Sequence, residues 1–143
     1  MAIDKNQTCM ASEYYVAAEL YRLGYDVTIT SGKTKTIDIL AIRDDRPIAI
    51  QVKGMHSKKS GNWNIDINKI KDNIIYILVN LSANIPNSQP EFFVLTSNEA
   101  KRLFTNTTKD GNTLKRAYLS YSKIRGNKLY QNNWGKLTNC LLK

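Results

Sequence analysis

The amino-acid sequence predicts an α/β fold: one mixed central β-sheet flanked by helices, in the order α-β-β-β-α-β-β-α. Three stretches predict it. Residues 8–23, TCMASEYYVAAELYRL, place Val16, Leu20 and Leu23 three or four apart, the spacing of one helical face. Residues 37–54, IDILAIRDDRPIAIQVKG, set two apolar runs on either side of a polar turn, as a hairpin does. Residues 74–81, IIYILVNL, are almost continuously apolar, as in a strand covered on both faces.

The elements follow in order. Thr8 is the expected cap of the first helix and Gly24 its stop. Tyr25 to Thr30 is a strand ending at the turn-prone Ser31-Gly32-Lys33. Ile37 to Arg43 and Ile48 to Lys53 are strands joined by a turn at Asp44-Asp45-Arg46-Pro47. The basic stretch HSKKSGN, from His56 to Asn62, reads as a loop, and Asp66 to Asp72 as a short helix. After the apolar strand, Asn84 to Pro90 is a loop. Phe92 to Thr96 is a strand, and Ser97 is the expected cap of a helix through Phe104. Thr105 to Gly111 reads as a loop. Trp134, Leu137 and Leu141 suggest a terminal helix. No repeat, linker or low-complexity segment interrupts the 143 residues, which are read as a single domain, 1–143.

Lys and Arg number 21 against 12 acids, a net charge of +9. In a small domain this favours a polyanionic partner, nucleic acid above all; a generally basic soluble protein is the plainer alternative. No apolar run approaches a membrane span, and MAIDKNQTCM has no signal-peptide core, so a cytoplasmic protein with no membrane partner is expected. Cys9 and Cys140 are too few for a disulfide framework or a zinc site.

The hairpin carries three residues that a buried hairpin does not need: Asp38, Gln51 and Lys53. Side chains alternate along a strand, so Gln51 and Lys53 share one face, with Ile48, Ile50 and Val52 on the other. A turn at Asp44–Pro47 brings Ile37–Asp38 beside Gln51–Lys53, and the three polar side chains can converge. A carboxylate and an amide oxygen are hard ligands suited to Mg²⁺, and a nearby lysine can offset charge developing at a phosphate. Read structurally, Asp38 and Lys53 form a cross-strand ion pair and Gln51 faces solvent.

The spacing Asp38-x12-Gln51-x-Lys53 resembles the signature of the PD-(D/E)XK nuclease superfamily in its Q-x-K variant. The stretch SEYYVAAELYRLGYDV is similar to the first helix and strand of its small resolvase-like and restriction-like members, which begin with Gly or Ser before a glutamate and end in Gly plus an aromatic. The resemblance covers roughly Ser12 to Thr96 and implies a restriction-endonuclease-like core, α-β-β-β-α-β. It implies a metal-dependent endonuclease acting on DNA, with Mg²⁺, or Mn²⁺ in its place, as cofactor. It makes Glu13 the helix acid at the metal, beside Asp38 and Gln51, with Lys53 completing the catalytic set. Ile37 stands where the signature has Pro, and Gln51 where it has a second acid, which leaves the metal cage one negative charge short. A nucleic-acid-binding module or subunit without catalysis is the rival reading.

Lys33 and Lys35 before the hairpin, and Lys58 and Lys59 after it, are expected to hold the DNA backbone, with solvated loops as the alternative. His56 is expected in solvent or at a phosphate, and Trp63 in the core or a lid rather than against a base. Tyr14 and Tyr15 are expected to pack the first helix, and Glu19 to be solvated or structural. With little chain left for a recognition domain, cleavage is expected to be structure-selective or weakly sequence-specific, or directed by a homodimer or a targeting partner protein.

Overall fold

The computed structural model describes residues 3–30, 36–57, 61–106 and 116–140. Helix α1 (Lys5–Arg22) starts earlier than expected. Asp4 caps it, accepting from the Gln7 N–H while Gln7 accepts from the Asp4 N–H. The reciprocal box satisfies two donors, and Thr8 is left inside the helix. The helix gives way at Leu23, and Gly24 takes the left-handed φ of +90° that ends it.

Strands β1 (Asp26–Ile29), β2 (Ile39–Arg43) and β3 (Arg46–Met55) follow. The β2–β3 turn is tighter than expected. Asp44 and Asp45 both take positive φ, 53° and 59°, as a two-residue hairpin loop requires, and Arg46 already pairs with Arg43.

The expected helix at Asp66–Asp72 is absent. Strand β4 (Asn62–Asp66) runs into a single 3₁₀ turn at Ile67–Lys69. Trp63 and Ile65 point inward while Asn62 and Asn64 point out, a two-residue period that excludes a helix. Next come β5 (Ile74–Asn80), buried along its whole length, and β6 (Glu91–Leu95). Thr96, rather than Ser97, caps α2 (Ser97–Leu103), in a box with Glu99. Strands β7 (Thr105–Asn106) and β8 (Arg116–Ser120) and helices α3 (Tyr121–Ile124) and α4 (Lys136–Cys140) complete the described fold.

The main sheet has the order β1-β2-β3-β5-β6, with β3 and β5 parallel and the other pairs antiparallel. One face packs under α1, where Val16, Ala17 and Leu20 meet Ile50, Val52, Ile77 and Val79. The opposite face carries Tyr76, Leu78, Phe93 and Leu95. It is covered by a second sheet, β4-β8-β7, through Trp63, Ile65, Ala117 and Leu119. Trp63 is core: its indole N–H donates to the Val79 carbonyl at 3.1 Å, and its ring meets Phe93 edge-on at 5.4 Å. No described helix is long and apolar enough to cross a membrane.

Candidate active site

Strand β3 is ten residues long and its two neighbours cover it unequally. On one side it pairs with β5 as far as Met55↔Asn80. On the other, pairing with β2 stops at Ile39↔Ile50. Gln51 to Met55 therefore present an edge that β2 leaves open. An uncovered strand edge carries unpaired donors and acceptors. Asp38, one residue before β2, deals with the first of them. Its N–H donates to the Ile50 carbonyl at 2.9 Å, and its carboxylate accepts from the Val52 N–H at 2.8 Å. The carboxylate thus replaces a missing ladder bond, and it is held 8% exposed at the point where the sheet parts.

Gln51 and Lys53 lie just beyond that point. They sit beside Tyr76 and Leu78 of β5 in the parallel register, on the face opposite Ile50 and Val52, as alternation predicts. Both are half-buried, and neither takes a hydrogen-bond or ion-pair partner among the described residues. The cross-strand Asp38–Lys53 ion pair of the plainer reading is therefore not formed.

Glu13 comes from the other face. A Cβ built at Gly54 would collide with Ser12 Oγ and lie 2.9 Å from Ser12 Cβ, so glycine is what lets α1 lie directly on β3. Further along the helix the Tyr21 hydroxyl donates to the Val27 carbonyl of β1 at 3.0 Å. At about 100° per residue, Glu13 falls between those two directions, on the sheet-facing side of α1 with Val16, Ala17 and Leu20. It is 5% exposed, unusual for a glutamate. Glu13 thus lies on the α1 side of the sheet, and Gln51 and Lys53 point to the other face.

No protein-family model matches the sequence, and neither does any curated protein. Among solved structures, the bacterial homing endonuclease I-Ssp6803I is similar over 99% of this chain and 96% of its own, with TM-score 0.63 and 14% identity. The chain has the restriction-endonuclease-like fold. A Holliday junction resolvase, Hjc from Archaeoglobus fulgidus, aligns over 80% of this chain and 84% of its own at TM-score 0.49 and 14% identity.

By chemistry, two buried carboxylates, Glu13 and Asp38, and the Gln51 carboxamide, without a partner among the described residues, are donors that suit a hard cation. Among the described residues no three His, Cys, Asp or Glu side chains cluster as metal ligands. Lys33, Lys35, Lys58 and Lys59 lie outside the described residues.

The remaining residues sort themselves by position. The His56 ring nitrogen Nε2 is shielded from solvent, against expectation, and has no hydrogen-bond partner among the described residues. Tyr14 and Tyr15 are 59% and 48% exposed on the outer side of α1 and do not pack it. Glu19 is structural: Arg22, one turn on, bonds it and holds its carboxyl below the usual range. Cys9 is a free, exposed thiol. Sequence reasoning missed Ser12 and Gly54, whose contact sets the height of Glu13; the glycine directly after Lys53 was the available signal.

Proposed function

We propose that the chain is a metal-dependent endonuclease that hydrolyses phosphodiester bonds in DNA. The observation that carries this is the open edge of β3. A buried carboxylate is fixed there by a backbone N–H, and the Gln51 amide and Lys53 ammonium on the same stretch have no partner among the described residues. Groups arranged this way and left unpaired are ready for a ligand. Glu13, Asp38 and Gln51 would hold Mg²⁺, or Mn²⁺ in its place. Bound there, the cation would supply Lewis acidity and lower the pKa of water.

The chain's own groups do the rest. Asp38 keeps its orientation through the Val52 N–H. Gln51 contributes an oxygen without adding charge. The Lys53 ammonium donates to the phosphate and offsets the charge that grows on its oxygens. The fold likeness to a homing endonuclease and the net charge of +9 support DNA as the substrate. Gln51 standing where the signature has an acid favours a second reading, DNA binding without catalysis.

The test is nicking of supercoiled DNA by the wild type and Lys53→Ala. Wild type should cleave in Mg²⁺ or Mn²⁺ and bind without cleaving in Ca²⁺. Lys53→Ala should lose about a hundredfold or more in rate with its melting temperature unchanged. Near-wild-type cleavage by a well-folded Lys53→Ala would remove Lys53 from the site.

A further inference from the structure

The net charge is unevenly distributed. Residues 1–104 hold thirteen basic and eleven acidic side chains, whereas residues 105–143 hold eight basic and one acidic. Nearly all the excess lies in the segment that supplies β8, α3 and α4. Among its described residues Arg116, Lys123, Arg125 and Lys128 are exposed, and none has an ion-pair partner there. Three of them follow the Ser120 end of β8 within eight residues.

Beside this basic end lies a face of different chemistry. Strands β4 and β8 are each five residues long and antiparallel, and the two-residue β7 borders the far edge of β8 only at Tyr118 and Ala117. Their inward side chains, Trp63, Ile65, Ala117 and Leu119, are buried against the main sheet. The outward rows are Asn62 opposite Ser120, Asn64 opposite Tyr118, and Asp66 opposite Arg116. The Asn62, Asn64 and Tyr118 side chains make no hydrogen bond among the described residues. The rows are neutral over Asn62, Asn64, Tyr118 and Ser120, bounded at one end by the Asp66–Arg116 position and continued at the other by cations.

We propose that the β4–β8 ribbon is the sequence-reading surface of the chain, entering the major groove of duplex DNA while Lys123, Arg125 and Lys128 hold the flanking phosphates. The proposal rests on DNA being the substrate. The major groove admits a two-stranded ribbon, and asparagine matches the donor–acceptor pair of adenine. Cations fix position while neutral side chains read base edges, and the two kinds of residue are segregated here in that way. At about 3.4 Å per residue each strand reaches about 17 Å, the rise of about five base pairs. Strand β4 follows the catalytic strand β3 in the chain, which ties what is read to what is cut.

The experiment is selection of bound sequences from a randomised duplex DNA pool in Ca²⁺, so that the readout is binding and not cleavage. It uses the wild type, Asn62→Ala/Asn64→Ala and Lys123→Ala/Arg125→Ala/Lys128→Ala, each checked for unchanged melting. Wild type should enrich a short motif. The asparagine pair should lose about tenfold or more of the preference for that motif over scrambled duplex while keeping its affinity for scrambled duplex. The triple variant should weaken binding to all sequences alike and lower the salt slope by about 3. Binding without enrichment, enrichment that survives in the asparagine variant, or preference for an RNA pool would overturn the assignment. Selective binding by a wild type that never cleaves would leave the ribbon standing and remove the nuclease. Loss of cleavage in Lys53→Ala with no effect at the ribbon would do the reverse.

Discussion

The two sheets share one interface and differ in what lies on their other side. The main sheet is covered twice, by α1 on one face and by the second sheet on the other. Among the described residues the second sheet is covered on one face only, and its outward row is exposed at Asn62, Asn64 and Arg116 and half-buried at Asp66, Tyr118 and Ser120. A polar side chain on the second sheet costs little, because water is its partner. On the main sheet, burying a polar group without a partner costs a few kcal/mol. Asp38, Gln51 and Lys53 stand on the main sheet, at the one stretch of β3 that β2 does not cover. The comparison shows why residue type alone is a weak guide: an asparagine on β4 and a glutamine on β3 sit in different energetic settings, and only the second calls for an explanation.

The largest expected effect comes from breaking the main sheet at its open edge. Asp38→Ala removes the acceptor of the Val52 N–H, which should cost roughly 2 kcal/mol, and with it the proposed ligand. Asp38→Asn keeps an acceptor oxygen and loses only the charge. Melting and cleavage measured together should show Asp38→Ala unstable and inert, and Asp38→Asn close to wild type in stability yet inert. A fully active Asp38→Asn would make the residue structural only.

Next is the seat of α1. Gly54→Ala places a methyl group into Ser12 and should cost roughly 2 kcal/mol of stability by overpacking. Cleavage should fall as well, since Glu13 adjoins Ser12 and moves with it. An unchanged melting temperature would mean that the helix does not rest on β3 as described.

A smaller effect tests how the β6 end of the main sheet is tied down. The Lys136 ammonium donates to the Val94 carbonyl at 2.9 Å and pairs with Glu99 at 2.8 Å, with both side chains largely buried. Burial pushes the Glu99 carboxyl up, but the bonds from Lys136 and Thr96 outweigh it and hold the group below its ordinary value of 4.5. A lowered folded pKa stabilises at pH above the unfolded value, and that stability is lost as the pH falls through the folded one. Lys136→Met should therefore cost roughly 1 kcal/mol near neutrality, discounted for residual solvent. In melts across pH, the gap from wild type should narrow as the pH falls below 4.5. A gap that stays constant with pH would show that the pair does not carry the effect.

The main sheet was largely legible in the sequence because its signals are local. The hairpin shows in its alternation, β5 in its unbroken apolar run, and the shared face of Gln51 and Lys53 in their two-residue spacing. What alternation cannot show is where a partner strand stops, so the open edge beyond Asp38 was invisible. The second sheet was missed because β4 and β8 lie fifty or more residues apart, and five residues alternating about Trp63 and Ile65 look much like a loop. That omission led to the expectation that little chain remained for recognition. Glu13 came from the family resemblance; its burial is a structural finding.

The most direct test of the proposed site is the rate of DNA nicking against Mg²⁺ concentration for the wild type, Gln51→Glu and Gln51→Ala. A carboxylate at this place keeps the oxygen and adds charge, whereas alanine removes the donor. Gln51→Glu should reach half its maximal rate at lower Mg²⁺ than the wild type, and Gln51→Ala should need more Mg²⁺ and cleave more slowly. Three superimposable curves would contradict a ligand role for Gln51, and cleavage by Gln51→Glu alone would show that the natural chain binds DNA without cutting it.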